Sequence, residues 1–168
     1  MPGGPVTEHP LDAVRIVAEP ASDPDVPSLQ AALEEAPDYH VLAEGSPARP
    51  GAAADLLADA EADPDRTLWV LRLRAGRQVA GLLDVQLHWP DPGAAHVRLL
   101  LLREPLQGRG LGREVVAALE ARLRAEGFRV LRLSVTHENR DARAFWEHVG
   151  FAPASELEER VTLYEKML

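Results

Sequence analysis

Three alternating glycines stand where an apolar segment of the chain gives way to an amphipathic one. The segment from Arg103 to Val116 reads REPLQGRGLGREVV, and its glycines are Gly108, Gly110 and Gly112. The preceding AHVRLLLL is typical of a buried strand, and the following REVVAALEARLRAEG places its apolar residues on one helical face. A strand, a tight turn and a helix in this order predict an α/β fold in which the helix packs on a sheet.

The glycine turn has the properties of an anion site. The first backbone amides of a helix have no partner within the helix, and the helix dipole adds partial positive charge there. Glycine lets a bulky anion approach the main chain, and Arg109 and Arg113 add formal positive charge. These residues therefore predict a site for a phosphate or diphosphate group.

Two common phosphate-binding motifs do not fit the turn. The dinucleotide motif Gly-x-Gly-x-x-Gly, counted from Gly108 and Gly110, needs a third glycine where the chain has Arg113. The P-loop motif needs Lys followed by Ser or Thr, and neither follows these glycines. A nicotinamide- or ATP-dependent enzyme is therefore disfavoured, while a tight connection that binds no ligand remains an alternative.

The rest of the chain predicts a single domain over residues 13–168. The first 12 residues are rich in Pro and Gly and predict a flexible tail. Alternating apolar residues predict strands, and apolar residues at helical spacing predict helices. The predicted strands cover residues 13–19, 67–75, 78–89, 95–102, 129–136 and 160–168, and the predicted helices cover residues 22–37, 52–63, 113–127 and 140–150.

Composition excludes several classes of function. The net charge of −9 disfavours binding to nucleic acid or to acidic membranes. The chain has no cysteine, so disulfides, thiolate metal sites and cysteine nucleophiles are excluded, and no metal site is predicted. No basic leader or apolar stretch of about 20 residues is present, which predicts a cytoplasmic protein with no membrane partner.

Two segments resemble motifs of one protein family. Gln107-x-x-Gly110-x-Gly112 resembles the Q/R-x-x-G-x-G/A motif of the GNAT superfamily of N-acetyltransferases. NRDARAFWEHVGF, from Asn139 to Phe151, resembles that superfamily's N-x-x-A-x-x-(aromatic pair)-x-x-x-G-F segment. One predicted helix and one predicted strand separate the two segments, as in the family. The resemblance is close over residues 79–151 and weak over the first seventy residues.

The resemblance implies a GNAT-type domain, a mixed, twisted central sheet flanked by helices, with acetyl-CoA as cosubstrate. It implies an enzyme that transfers the acetyl group to a primary amine of a small molecule or a protein N-terminus. The amine would attack the thioester directly in a ternary complex, and a homodimer is left open. The residues implied in cofactor binding are Leu101, Leu102, Arg103, Gln107, Gly108, Arg109, Gly110, Leu111, Gly112, Arg113, Asn139 and Phe145.

The family assigns these residues to two parts of the cofactor. The diphosphate would rest on the amides of the glycine turn, and the strand before it would offer backbone groups to the pantetheine arm. In the family this strand commonly carries a bulge and splays from the next strand, opening a cleft. The side chains of Leu99–Leu102 are expected mostly in the core. Asn139 either caps a helix, binds the pantetheine chain or does both, and Phe145 either packs near that chain or belongs to the core.

The catalytic groups are less defined. Trp146 occupies the position where the family usually has a tyrosine acid, and the remaining candidates are Tyr39 and Tyr164. His96 is a candidate base with a suitable intrinsic pKa, or else an exposed histidine at a strand end. Asp84 faces either the cleft, where it would bind a cationic acceptor, or solvent. The tryptophan also favours a second hypothesis, an acyl-CoA-binding module of the same fold with little catalytic activity.

Overall fold

The structure of the protein, a computed structural model, describes residues 10–36 and 47–168. The central feature of these described ranges is an eight-stranded sheet with the strand order β1-β2-β3-β4-β5-β6-β8-β7. Neighbouring strands are antiparallel except β5 and β6, which are parallel, so the predicted mixed sheet is confirmed. The strands are β1 (Leu11–Asp12), β2 (Ile16–Pro20), β3 (Arg66–Leu73), β4 (Val79–Leu87), β5 (Ala94–Leu102), β6 (Val130–Thr136), β7 (Ala152–Glu158) and β8 (Val161–Met167).

Helices cover both faces of this sheet. Side chains alternate along a strand, so the neighbours Trp69 and Val70 pack into two separate apolar clusters on opposite faces. The cluster of Val70 includes Leu29 and Leu57, and the cluster of Trp69 includes Leu119. The helices are α1 (Val26–Glu34) and α2 (Ala52–Ala62) on the face of Val70, and α3 (Leu111–Ala125) and α4 (Arg140–His148) on the face of Trp69.

Most predicted elements are present, with shifted ends. The helix predicted to start at Arg113 begins at Leu111, because Gly110 already occupies its N-cap position. The helix predicted from residue 22 begins as a short 3-10 helix, Asp23–Asp25, before α1. In that turn the backbone N–H of Ser22 donates to Asp25 Oδ2 at 2.9 Å.

Two strands lie outside the predicted set. The sequence pattern places Leu11 and Asp12 in the flexible tail, yet they form β1, and Leu11 is buried. The sheet therefore begins two residues before residue 13. β7 is absent from the predicted set because it is an edge strand with every residue exposed. It therefore lacks the alternation of apolar and polar residues that identifies a half-buried strand.

Candidate active site

The glycine turn connects β5 to α3 and is exposed from Gln107 to Gly110. Gly108 and Gly110 have left-handed φ values of +72° and +81°, a region that side chains disfavour. Gly110 is the N-cap residue of α3, so the first amides of that helix open at the turn. This geometry suits the diphosphate group that the sequence predicts at this position.

Gly112 serves the packing of the two helices beside the turn. A Cβ at Gly112 would lie 3.2 Å from two ring carbons of Phe145 and 3.7 Å from Leu102 Cδ1. Phe145 is half-buried, and its ring meets that of Trp146 edge-on with centroids 4.9 Å apart. The third glycine of the motif therefore lets α3 approach α4 at the end of β5.

Strands β5 and β6 diverge in the second half of β5, before the turn. Their parallel ladder joins residues 94–96 to residues 130–132, and beyond it β5 pairs with β4 while β6 pairs with β8. The register between β4 and β5 shifts between Val97 and Leu99, which leaves Arg98 as a β-bulge. The structure thus confirms the bulge and the splay that the resemblance implies.

The four leucines before the turn are less buried than expected. Leu101 is buried at 5% exposure, whereas Leu99, Leu100 and Leu102 are only half-buried and pack at the edges of the two apolar clusters. The expectation that most of them form core is corrected, because β6 turns away from β5 at this point.

Gln107 and Arg103 hold the turn to its surroundings. Gln107 Nε2 donates to the carbonyl of Leu102 at 2.9 Å, which ties the turn to the end of β5. The backbone N–H of Arg103 donates to Ala80 O at 2.8 Å, and its guanidinium donates to both carboxylate oxygens of Glu35 at 2.9 and 2.6 Å. These donors of Arg103 are therefore engaged within the protein.

The other predicted cofactor residues differ in accessibility. The side chain of Leu111 is buried at 3% exposure, so only its backbone faces the turn. Arg109 and Arg113 are exposed, and the Arg113 guanidinium contacts His148 Nε2. Asn139 Oδ1 accepts a hydrogen bond from the backbone N–H of Ala142 at 3.2 Å, so the predicted helix-capping role is present.

The tyrosine position of the family motif lies in the core. Trp146 is 7% exposed and packs edge-on against Phe151 with ring centroids 5.1 Å apart. Tyr164 is 1% exposed, and its hydroxyl donates to Glu147 Oε1 at 3.0 Å and accepts from Arg143 Nε at 3.3 Å. Tyr39 lies outside the described residues. The Tyr164 hydroxyl is therefore held by two side chains of α4.

Asp84 faces neither solvent nor an open cleft. Its side chain is 1% exposed and accepts two hydrogen bonds from Arg66, at 3.0 Å from Nε and at 2.7 Å from Nη2. Arg98 at the bulge lies 3.5 Å away, measured from Nε to Asp84 Oδ2. Both expectations for Asp84, the cleft and solvent, are thus wrong, because the pairing of β3 with β4 places a buried arginine diagonally across from it, two residues before Leu68, which pairs with Asp84.

His96 lies at the last pair of the β5–β6 ladder, where the two strands part. Burial lowers its pKa to about 4, and the nearby charges of Arg98 and Arg132 act in the same direction. Its Nδ1 is buried and has no hydrogen-bond partner among the described residues. Trp89, 51% exposed, meets the imidazole edge-on with centroids 5.0 Å apart. At neutral pH the imidazole is therefore uncharged.

Two further contacts at the site have no signal in the sequence. Arg15, in the turn between β1 and β2, donates from Nη2 to the carbonyl of Arg109 at 2.7 Å. It also binds Glu114 in the first turn of α3. These partners are more than ninety residues apart in the chain, so local spacing does not reveal them.

The mixed sheet splays between two parallel strands, and a glycine turn at a helix N-terminus follows the first of them. This arrangement is that of the acyl-CoA-dependent acyltransferases that the motifs imply. A model of the Acetyltransferase (GNAT) family matches residues 29–151. The chain belongs to the GNAT acetyltransferase family.

Relatives and solved structures agree with this family. The fold is similar to that of an acetyltransferase from Thermus thermophilus, with a TM-score of 0.83 and 31% identity over 93% of this chain and 99% of that one. The chain is 33% identical over 98 residues to the uncharacterized N-acetyltransferase YycN of Bacillus subtilis, covering 58% of this chain and 62% of that protein. It is 38% identical over 74 residues to mycothiol acetyltransferase of Beutenbergia cavernae, covering 44% and 25%. The chain thus spans less than two thirds of these two curated relatives.

Membrane-spanning helices and clustered metal ligands are both absent from residues 10–36 and 47–168. None of the helices there has the length and apolar character needed to cross a bilayer. No group of three or more His, Cys, Asp or Glu side chains in these ranges is arranged to hold a metal ion.

Proposed function

We propose that the protein is an acetyl-CoA-dependent N-acetyltransferase. One observation carries the proposal: β5 continues for six residues beyond its last pair with β6, and the exposed glycine turn at the start of α3 follows this unpaired end. An extended cofactor can place its diphosphate on the turn and pass its arm through the wedge between the strands. Membership in the acetyltransferase family supports the chemistry.

The cofactor is held mainly by backbone groups. The backbone N–H of Gln107 donates to Glu104 O at 3.1 Å, so the amides from Gly108 to Arg113 are the ones that donate to the diphosphate. The exposed side chains of Arg109 and Arg113 compensate its charge. Beyond its last pair with β6, β5 has backbone N–H and C=O groups that face the wedge, and these groups bind the pantetheine arm. Asn139 uses Oδ1 to cap α4, which leaves its Nδ2 to donate to an amide carbonyl of that arm.

The reaction is a direct attack of a neutral amine on the thioester. The C–N bond forms, the C–S bond breaks and the thiolate of CoA departs, while backbone amides near the bulge stabilise the oxyanion. His96 is the proposed base, because it lies at the parting of the strands and is neutral at pH 7. As the C–N bond forms, the imidazole accepts the proton that the attacking nitrogen loses, and this proton then passes to the departing thiolate. A group with a pKa of about 4 does not deprotonate a free ammonium ion, so the acceptor must arrive as the neutral amine.

The acceptor is proposed to be a primary amine, of a small molecule or of a protein N-terminus. It would approach the thioester past His96 and the exposed ring of Trp89, which form one wall of the opening. No tyrosine acid is required in this scheme, because a thiolate is a fair leaving group.

The test of the cofactor site is a pair of matched glycine variants. Gly110→Glu places a strained, negatively charged residue in the turn and is expected to abolish acetyl-CoA binding in calorimetry at millimolar cofactor. Gly51→Glu is the control, because Gly51 is also a left-handed N-cap residue, of α2, with φ +84° against +81°, and no atom lies within 4 Å of its Cβ position. Undiminished binding by folded Gly110→Glu would refute the proposed site.

The second hypothesis, an acyl-CoA-binding module with little turnover, is favoured because no tyrosine stands at the acid position of the family motif. Trp146 fills the tyrosine position and the Tyr164 hydroxyl is bound by Glu147 and Arg143. Release of free thiol from acetyl-CoA across a panel of primary amines separates the two hypotheses. Turnover with any amine supports the enzyme, whereas tight binding without turnover across the panel supports the module.

A further inference from the structure

Arg15 makes three hydrogen bonds that converge on the glycine turn and the first turn of α3. Its Nη2 donates to Arg109 O at 2.7 Å, its Nε donates to Glu114 Oε1 at 2.6 Å, and its backbone N–H donates to Glu114 Oε2 at 3.0 Å. Arg15 lies between β1 and β2, before the residues that match the family model. We propose that Arg15 is a positioning residue that orients the glycine turn for the diphosphate of acetyl-CoA.

The orientation follows from the geometry of one peptide unit. The carbonyl of Arg109 and the N–H of Gly110 belong to the same trans peptide, so they point in opposite directions. Because Arg15 holds this carbonyl, the N–H of Gly110 is directed away from Arg15. Glycines on both sides of Arg109 give the peptide unusual freedom to rotate, so an external contact is needed to fix it.

The second effect of Arg15 is electrostatic. Glu114 lies in the first turn of α3, where an unpaired carboxylate would repel an anion bound at the helix start. Burial raises the pKa of Glu114, but the hydrogen bonds from the backbone and side chain of Arg15 outweigh burial, so the pKa is lowered overall. The carboxylate therefore stays ionised and paired, and its charge is compensated by the guanidinium.

A neighbouring arginine provides a matched control. Arg74 also contacts the β1–β2 segment, with Nε donating to Ala13 O at 3.0 Å and Nη2 donating to Asp12 Oδ1 at 2.6 Å. The side chains are similarly exposed, 45% for Arg74 and 51% for Arg15. These contacts of Arg74 do not reach the glycine turn, so Arg74→Ala loosens the β1–β2 turn alone.

The proposal rests on the glycine turn being the diphosphate site, and the experiment separates the two. Calorimetry measures acetyl-CoA binding by Arg15→Ala, Arg15→Lys and Arg74→Ala. Ligand-observed NMR measures how tightly the same variants bind S-acetylpantetheine, which lacks the diphosphate. Arg15→Ala is expected to weaken acetyl-CoA binding about tenfold, the size of one charge-assisted hydrogen bond. Arg15→Lys should lose less, because one ammonium group can still reach the Arg109 carbonyl. Arg74→Ala should bind acetyl-CoA as tightly as the unmodified protein does. All three variants should bind S-acetylpantetheine as tightly as the unmodified protein does.

Three results would overturn the proposal. Unchanged acetyl-CoA binding by Arg15→Ala, with binding lost in Gly110→Glu, refutes the role of Arg15 but keeps the cofactor site. An equal loss in Arg74→Ala shows that the β1–β2 turn matters only as a support. If Arg15→Ala weakens the binding of S-acetylpantetheine as much as that of acetyl-CoA, the effect of Arg15 does not act through the diphosphate. If Arg15→Ala does not fold, Arg15→Met replaces it, because methionine keeps a long side chain but has no hydrogen-bond donor: acetyl-CoA binding equal to that of the unmodified protein then refutes the proposal.

Discussion

Replacing Asp84 with Asn is expected to destabilise the protein, because the change leaves a buried arginine without its charged partner. The side chains of Arg66 and Asp84 are 8% and 1% exposed, and two hydrogen bonds of 3.0 and 2.7 Å join them. Breaking such a buried pair from one side costs about 3–5 kcal/mol, since the remaining charge stays desolvated. Asp59, which lies 3.5 Å from Arg66 Nη1 and is 65% exposed, retains part of the attraction. The expected loss is therefore near the lower limit, about 3 kcal/mol.

The assay is urea unfolding at pH 7, with a surface pair as the control. Asp12 and Arg74 are 72% and 45% exposed, so Asp12→Asn is expected to cost less than about 1 kcal/mol. Replacing both partners, as in Arg66→Met with Asp84→Leu, should recover much of the stability lost in Asp84→Asn, because no lone charge is then buried. A loss in Asp84→Asn no larger than that in Asp12→Asn would refute the reasoning.

Two other predictions concern β4 and β5. The folded pKa of His96, about 4, lies below its unfolded value of about 6.5, so its stabilising contribution is complete above pH 6.5 and falls as the pH drops toward 4. When the pH is lowered from 7 to 5, the unmodified protein should lose about 2 kcal/mol more unfolding free energy than His96→Gln, as measured by urea unfolding. Equal losses in the two proteins would contradict the lowered pKa. Gly81→Ala would place a Cβ 1.9 Å from Leu101 O, so a loss of about 3 kcal/mol or more is expected in the same assay, and a neutral effect would contradict the close approach.

Local pattern predicts the elements whose side chains alternate or follow helical spacing. The helix after the glycines and the helix of Trp146 belong to this group, since each has one apolar face. The hairpin of β3 and β4 is recognisable from two apolar segments separated by a short turn. β1 and β7 do not, because a two-residue strand and a fully exposed edge strand have no such pattern. The cofactor motif is recognisable because its glycines and Asn139 act through local backbone geometry.

The site residues that depend on distant partners are not predictable in the same way. Asp84 has the same sequence context whether it faces solvent, an acceptor or an arginine, and the antiparallel pairing of β3 with β4 decides among these. The engagement of Tyr164 by Glu147 and Arg143 likewise depends on how α4 packs over β8.

The sequence by itself determined the four helices and six of the eight strands that the described residues contain, the glycine turn at the start of α3 and the family to which both motifs belong. Each of these follows from interactions between residues a few positions apart, where spacing along the chain fixes spacing in the molecule. Only the tertiary structure decided that His96 is neutral, that Asp84 is bound by Arg66 and that Arg15 holds the glycine turn. Burial and charge pairing depend on which distant segments the sheet brings together, and no local pattern records that choice.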